Sequence, residues 1–145
     1  TGDVPLAVAV NPVTNKIYVA NTCSDNVTVR NGTDNSTQTV NTGDVPLAVA
    51  VNPVTNKIYV ANRNSDNVTV IDGANNSTQT VSAGDGPNAV AVNPVTNKVY
   101  VANWGSRSVT VIDGGCPLMY ASTADFGHKM MRGVLSLVGK VPKSV

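Results

Sequence analysis

The stretch NPVTNKIYVAN, residues 11–21, occurs again without change at residues 52–62. A third copy, NPVTNKVYVAN, fills residues 93–103 and differs only by Val99. Successive copies begin 41 residues apart. A fixed period of roughly 20–50 residues is typical of solenoids, propellers and other repeat architectures. The period therefore decides how the rest of the chain is interpreted.

The whole chain divides around this motif. Full repeats occupy residues 1–41 and 42–82, and a third begins at residue 83 and keeps the pattern to residue 115. Each full repeat holds four runs of strand-forming residues, in the second repeat LAVAV, KIYVA, NVTVI and STQTV, separated by Asn-, Asp-, Gly- and Pro-rich turns. This spacing is typical of a β-propeller blade. We therefore expect an all-β fold of four-stranded antiparallel blades that forms an incomplete propeller.

The apolar content of the four runs falls from the first to the last. AVAV is apolar on both faces, which is typical of a strand buried between neighbours, whereas STQTV is polar, which is typical of an edge strand. This order predicts that the first run lies nearest the propeller axis and the fourth on the rim. Tyr18, Tyr59 and Tyr100 share one position in the second run. We expect them to fill the space between adjacent blades.

The chain leaves the repeat pattern after residue 115. Residues 118–121 occupy the place of a fourth strand for the third blade. Residues 122–145 are expected to form an irregular or weakly helical tail, because apolar residues such as Met130 and Val134 have helical spacing while Gly127 and Gly133 disfavour a helix. Two interpretations of the tail stay open: a disordered extension or linker, and an amphipathic helix that docks on a membrane or on an open blade face.

The motif NPVTNKIYVAN followed by NVTVIDG resembles the repeats of the YVTN family of β-propellers, named for a Tyr-Val-Thr-Asn core. This chain reads YVAN, with Ala20, Ala61 and Ala102 at the Thr position. The resemblance covers residues 1–115. It implies a propeller, often seven-bladed, of the kind found in secreted, cell-surface and surface-layer proteins of bacteria and archaea. It implies no single activity, because a fold does not determine a function.

Three blades leave two blade faces without a neighbour, and propellers usually have about four to eight blades. Further blades of a longer chain, a second copy of this chain, or the tail could each cover these faces. The outer face of the first blade is complementary to the outer face of the third, because every internal junction has that pairing. Such a head-to-tail contact closes into a ring or continues as a filament. The predicted partners are therefore further copies or missing blades.

Composition and charge argue against several functional classes. Residues 1–115 carry six Lys or Arg and eight Asp, a sum of −2, and residues 116–145 carry four and one, a sum of +3. Neither part has the dense basic stripe of a nucleic-acid-binding protein. No run of about eighteen apolar residues predicts a transmembrane segment.

The residues that usually carry catalysis are scarce. The chain has no Glu, and its one His, His128, lies outside the repeats. General acid–base chemistry and zinc binding both depend on such residues, so no catalytic residue, cofactor or metal site is predicted. We expect a non-enzymatic module for binding or surface assembly, located outside the cell or on its surface. The alternative is a fragment of a larger propeller enzyme of the lactonase or lyase type.

Positions that differ between copies are candidates for ligand contact, because the fold does not dictate them. Trp104 replaces Arg63 of the second repeat, Arg107 replaces an Asp, and Arg30 replaces an Ile. Trp and Arg are enriched in binding hot spots. The ligand-contact candidates, for an unknown protein or glycan, are Trp104, Arg107, Arg63 and Arg30. Neutral drift at exposed turns is the alternative interpretation.

Two further groups recur by position. Asp3, Asp44 and Asp85 lie in the Gly-Asp turns before the innermost strands, so they are candidates for a cation or polar ligand at the channel mouth. Ordinary turn chemistry is the alternative interpretation. The Asn-x-Ser/Thr motifs, which are acceptors for glycans in exported chains, begin at Asn26, Asn31, Asn35, Asn67, Asn75 and Asn76.

Overall fold

Eleven strands form the part of the chain that the computed structural model describes, residues 1–115. The first blade contains β1 (Pro5–Asn11), β2 (Lys16–Asn21), β3 (Asn26–Asn31) and β4 (Thr37–Asn41). The second contains β5 (Pro46–Asn52), β6 (Lys57–Asn62), β7 (Asn67–Asp72) and β8 (Thr78–Ser82). The third contains β9 (Pro87–Asn93), β10 (Lys98–Asn103) and β11 (Ser108–Asp113).

Each blade is an antiparallel meander in which consecutive strands pair. The first two sheets have the orders β1-β2-β3-β4 and β5-β6-β7-β8, and the third has the order β9-β10-β11. This architecture confirms the expected all-β fold of propeller blades. The expected fourth strand at residues 118–121 and the tail at residues 122–145 lie outside the described residues. No helix within residues 1–115 has the length and apolar character needed to cross a membrane.

The order of the strands from axis to rim also agrees with the sequence. The first strands of neighbouring blades contact one another, β1 with β5 and β5 with β9. The fourth strands, β4 and β8, form the outer edges and are mostly exposed. An edge strand has one unpaired side, so the polar Thr and Gln of STQTV suit it better than apolar residues do.

Two apolar clusters join the three blades. We call the side of a blade that carries Tyr18, Tyr59 or Tyr100 its trailing face, and the opposite side its leading face. In the first cluster the trailing face of blade one meets the leading face of blade two; its buried residues are Tyr18, Ala20, Val27, Val29, Val40, Ile58, Val60 and Ile71. In the second, blade two meets blade three in the same way through Tyr59, Ala61, Val68, Val70, Val99, Val101 and Ile112. The core therefore lies between the sheets.

The three equivalent tyrosines do not all have the predicted environment. Tyr18 and Tyr59 are buried between blades, which confirms the prediction for them. Tyr100 is 40% exposed, so the prediction is wrong for this residue. The reason is its position on the trailing face of the third blade, on which no described strand packs.

Candidate functional site

One end of the blades gathers six of the seven ligand-contact and channel-mouth candidates. The turn between the second and third strands of each blade packs against the Gly-Asp turn that enters the same blade. Equivalent backbone hydrogen bonds join them: Thr22 N–H donates to the Val4 carbonyl at 2.9 Å, and Trp104 N–H donates to the Gly86 carbonyl at 3.0 Å. We call this end the mouth. It carries Trp104, Arg107, Arg63, Asp3, Asp44 and Asp85.

Arg63 and Trp104 contact each other across two neighbouring blades. The guanidinium carbon of Arg63 lies 5.7 Å from the centroid of the Trp104 ring, which is the geometry of a cation–π contact. At the same position in the first blade, the buried Thr22 hydroxyl donates to the carbonyl of Pro46 in the second blade at 2.9 Å. The position therefore contributes to blade junctions, a role that sequence comparison between the copies missed.

Arg107 occupies the position of Asp25 and Asp66, whose side chains bond to the next blade in the first two repeats. The carboxylate of Asp25 accepts from Val45 N–H of the next blade at 2.8 Å, and Asp66 accepts from Gly86 N–H at 2.8 Å. Arg107 keeps the left-handed backbone of these residues, with φ of 53°. Because a guanidinium has no acceptor, Arg107 cannot form the same bond.

The structure brings Trp104 and Arg107 together. Both residues are exposed and line an open cleft of about 440 Å³ with Asn103 and Gly105. The cleft combines an aromatic face with a cation, a pairing that suits a carboxylate or a sugar ring. It is the strongest ligand-contact candidate among the predicted residues.

Arg30 lies apart from this cleft. It is near the end of β3, a strand that starts at the mouth and runs away from it. Its side chain is exposed on the leading face of blade one, where Ile71 and Ile112 are buried in the other blades. Arg30 Nε donates to Asn35 Oδ1 at 3.2 Å. The structure therefore separates Arg30 from the other three ligand-contact candidates.

The backbone groups of the three Gly-Asp turns form hydrogen bonds to the turns between the second and third strands of the same blades. Asp3 and Asp44 have their N–H groups 2.6 Å from the hydroxyls of Ser24 and Ser65, respectively. All three Asp side chains are exposed. No group of three or more His, Cys, Asp or Glu residues within residues 1–115 is arranged to hold a metal ion. Binding of a cation or polar ligand by Asp3, Asp44 and Asp85 stays a prediction.

The repeated NPVTN turn joins neighbouring blades at the opposite end. Asn11 Nδ2 donates to Asn56 Oδ1 at 2.9 Å, and Asn52 Nδ2 donates to Asn97 Oδ1 at 3.1 Å. The first Asn of one turn thus binds the last Asn of the next. Asn56 and Asn97 adopt left-handed backbone conformations, which Asn tolerates well. The strict repetition of this turn was visible in the sequence, and the structure explains it by a contact between neighbouring blades.

Charged side chains accompany this junction. Lys57 Nζ lies 2.8 Å from Asp72 Oδ2, and this hydrogen bond is the main cause of the lowered pKa of the Asp72 carboxyl. Lys16 Nζ reaches across to the carbonyl of Gly73 in the second blade at 2.6 Å, and its charge also lowers the pKa of Asp72. Burial raises the pKa of the Tyr18 hydroxyl, and the charge of Asp72 adds to the effect.

The six glycosylation candidates divide by exposure. Asn35 and Asn75 are exposed in the turns between third and fourth strands. The other four, Asn26, Asn31, Asn67 and Asn76, are half-buried. Asn35 and Asn75 are therefore the more accessible acceptors, and glycosylation itself stays a prediction.

No protein-family model and no curated protein matches the chain. Solved β-propeller structures do match it. Hydrazine synthase of Kuenenia stuttgartiensis has a TM-score of 0.71 and 27% identity, over 77% of this chain and 33% of that one. A candidate 6-phosphogluconolactonase of Bacteroides fragilis has a TM-score of 0.65 and 19% identity, over 77% and 35%. A chain of a nidogen/laminin complex has a TM-score of 0.65 and 14% identity, over 76% and 43%.

The last two similarities, at such low identity, concern the fold alone. The part of this chain that matches corresponds to between a third and less than half of each neighbour's length. The neighbours therefore support the propeller architecture of residues 1–115.

Proposed function

We propose that this chain is a non-enzymatic β-propeller module of the YVTN type, bacterial or archaeal, that acts in binding or surface assembly outside the cell or on its surface. The YVTN assignment is supported by the motif at residues 11–21 and its two further copies. The propeller neighbours and the four-stranded blades agree with it.

The observation that carries this proposal is a pair of apolar blade faces, one on blade one and one on blade three, on which no other strand of residues 1–115 packs. On the trailing face of blade three, Tyr100, Val109 and Val111 are 40%, 62% and 48% exposed, whereas the corresponding residues of blade two are buried. On the leading face of blade one, Val8 and Val10 are exposed in the same way. Contiguous apolar surface of this kind marks an interaction site. The module is therefore built to associate with other blades.

The mouth supplies a second binding surface, for a protein or glycan ligand. Trp104 is 69% exposed and is oriented by Arg63, while Arg107 lies on the same turn. Exposed aromatic rings stack on sugar rings, and Arg binds acidic groups with directional hydrogen bonds. We expect neutral or acidic glycans, or an acidic protein segment, to bind here.

A glycan array probed with the purified chain tests the mouth. Bound glycans should lose about fivefold to tenfold in affinity with Trp104→Ala, because one stacked aromatic ring contributes roughly 1–1.5 kcal/mol. Val54→Ala is the matched control, since Val54 is exposed on a turn at the opposite end. Binding that is unaffected by Trp104→Ala would remove the mouth from the proposal. Protease treatment of intact cells, followed by mass spectrometry of the released peptides, tests the location.

The alternative is a fragment of a lactonase- or lyase-type propeller enzyme. The candidate lactonase among the neighbours shares the fold at 19% identity. The blades of this chain contain neither Glu nor His, so we expect no turnover of a panel of sugar lactones. Turnover that is lost in Arg107→Ala would overturn the non-enzymatic proposal.

A further inference from the structure

We propose that a second copy of this chain covers the open faces, with blade one of each copy docked on blade three of the other and Arg107 paired with Asp3 of the second copy. The inference deepens the proposed assembly function by naming the partner and its contacts. It rests on three features of residues 1–115. The Asn residues that bind across the internal junctions have equivalents on the two outer faces, Arg107 stands at the mouth where the other blades have Asp, and Arg30 lies on the outer face of blade one.

The two outer faces carry the equivalents of the two Asn residues that bind each other across each internal junction. Asn93 is placed as Asn11 and Asn52 are, with its Oδ1 accepting from Val95 N–H at 3.0 Å as Asn52 Oδ1 accepts from Val54 N–H at 3.0 Å. Asn11 and Asn52 are fully buried, whereas Asn93 is exposed. Its counterpart on blade one is Asn15, which has the same left-handed backbone as Asn56 and Asn97. Stacking blade one of a second copy on blade three would therefore repeat the internal contact.

The charges at the mouth distinguish the proposed junction between copies from the internal junctions. Internally, Asp25 binds the N–H of Val45, so its carboxylate lies close to Asp44, the residue before Val45. Asp66 and Asp85 are neighbours in the same way at the next junction, where Asp66 binds Gly86 N–H. At the junction between copies, the corresponding pair is Arg107 and Asp3. Two neighbouring acids are thus replaced by a cation and an acid.

Asp3 is available for such a pair. Its side chain is exposed, and neither it nor Arg107 takes part in an ion pair within residues 1–115, where the ion pairs are Lys57–Asp72 and Lys98–Asp113. The exchange places opposite charges, which attract each other, where the internal junctions have two like charges. It therefore favours pairing between copies at this one junction.

Arg30 gives the junction a second distinctive contact. It occupies the position of Ile71, which lies in the same cluster as Tyr18. In the stacked arrangement Arg30 of the second copy faces the equivalent Tyr100. The ring of Tyr100 can accept a cation–π contact, its hydroxyl can accept a hydrogen bond, and the aliphatic stem of Arg30 covers apolar surface as Ile71 does. An Arg at the centre of this face is therefore compatible with burial against Tyr100.

Two copies supply six described blades, within the range of about four to eight found in propellers. Both junctions of such a dimer are the same contact, related by a two-fold axis. Closure with two copies leaves no open blade face, in contrast to a filament. We therefore expect a discrete dimer.

Charge reversal tests the pairing on the full 145-residue chain. Sedimentation velocity across a concentration series should show a dimer for the original chain. Asp3→Lys and Arg107→Glu should each weaken dimerisation by about tenfold or more, because each puts like charges at both junctions. An equimolar mixture of the two variants should form the dimer again, because each junction of the mixed dimer joins opposite charges. Val54→Asp, on an exposed turn of blade two and away from the junction between copies, is the control.

Three outcomes would overturn the inference: a monomer at all concentrations, an open-ended filament, or a dimer that neither charge variant weakens and whose mixture behaves as the separate variants do. Circular dichroism shows that each variant is folded, and Val109→Asp provides a second disruption at a residue exposed in the single chain. Lactone turnover by the chain would overturn the proposed function and leave the dimer intact. A monomer that binds glycans would overturn only the dimer.

Discussion

Replacement of Asn52 by Ala tests the claim that the repeated NPVTN turn is a blade junction. Asn52 is fully buried between the second and third blades. Its Nδ2 donates to Asn97 Oδ1 at 3.1 Å, and its Oδ1 accepts from the N–H groups of Val54 at 3.0 Å and Thr55 at 3.4 Å. Asn52→Ala removes all three bonds and leaves buried polar groups without their partner.

The magnitude follows from these contacts. A typical hydrogen bond contributes a net ~1 kcal/mol, and an unsatisfied buried group costs about 1–3 kcal/mol. We expect Asn52→Ala to lower the free energy of unfolding by about 3 kcal/mol. Asn93→Ala is the matched control, because Asn93 forms the same bonds to Val95 and Thr96 within its turn but is exposed. Its cost should be about 1 kcal/mol, so the difference of ~2 kcal/mol measures the contact between blades.

Urea denaturation measured by Trp104 fluorescence is the appropriate assay. Trp104 is the one Trp of the chain and lies against Arg63 across the same pair of blades. Both variants are made in the Arg107→Glu background and studied at a concentration well below the dissociation constant of its dimer, so that Asn93 is not covered. Equal destabilisation by Asn52→Ala and Asn93→Ala would refute the junction and leave only a role within the turn.

Three further predictions concern other parts of the blades. Ile71→Ala should lower the free energy of unfolding by about 2–5 kcal/mol in urea denaturation, because Ile71 is fully buried between blades one and two and its truncation leaves a cavity; unchanged stability would contradict this packing. Arg63→Ala should change the emission of Trp104 and cost about 0.5–1 kcal/mol, and unchanged emission would contradict the cation–π contact. Because the pKa of Asp72 is lower in the folded than in the unfolded protein, its ionised carboxylate stabilises the fold at pH values above the unfolded pKa of about 3.9. This stabilisation is lost as the pH falls through the lower pKa of the folded protein. Asp72→Asn should therefore reduce the loss of stability below about pH 4, and an unchanged acid profile would contradict the role of Lys57.

The sequence predicted the fold through features that are local or periodic. Alternating strand residues, Asn- and Gly-rich turns and the 41-residue period together specify four-stranded blades. It was less informative about Tyr100, whose exposure depends on what packs against the third blade. The same residue has a different environment in the last described blade than in the first two, because its burial depends on whether another blade packs against it.

The candidate site was only partly accessible from the sequence. Trp104 and Arg107 are close in sequence, so their proximity in one turn was predictable. The contact of Arg63 with Trp104 depends on how two neighbouring blades stack, and the separation of Arg30 from the mouth depends on the course of β3. The hydrogen bonds of Asp25 and Asp66 to the next blade could not be predicted from the sequence either. They are the reason that an Arg at this position changes the junction.

Local sequence pattern specifies the blade, because hydrogen bonding between consecutive strands follows from alternating strand residues and short turns. The junction depends on tertiary packing, which selects the Asn that each Asn binds, the Asp that accepts from the next blade, and the apolar faces that no other strand of residues 1–115 covers. These contacts join residues about one repeat apart, such as Asn11 and Asn56. Their geometry depends on how one sheet stacks on the next, because side-chain hydrogen bonds require particular distances and directions that no periodicity encodes.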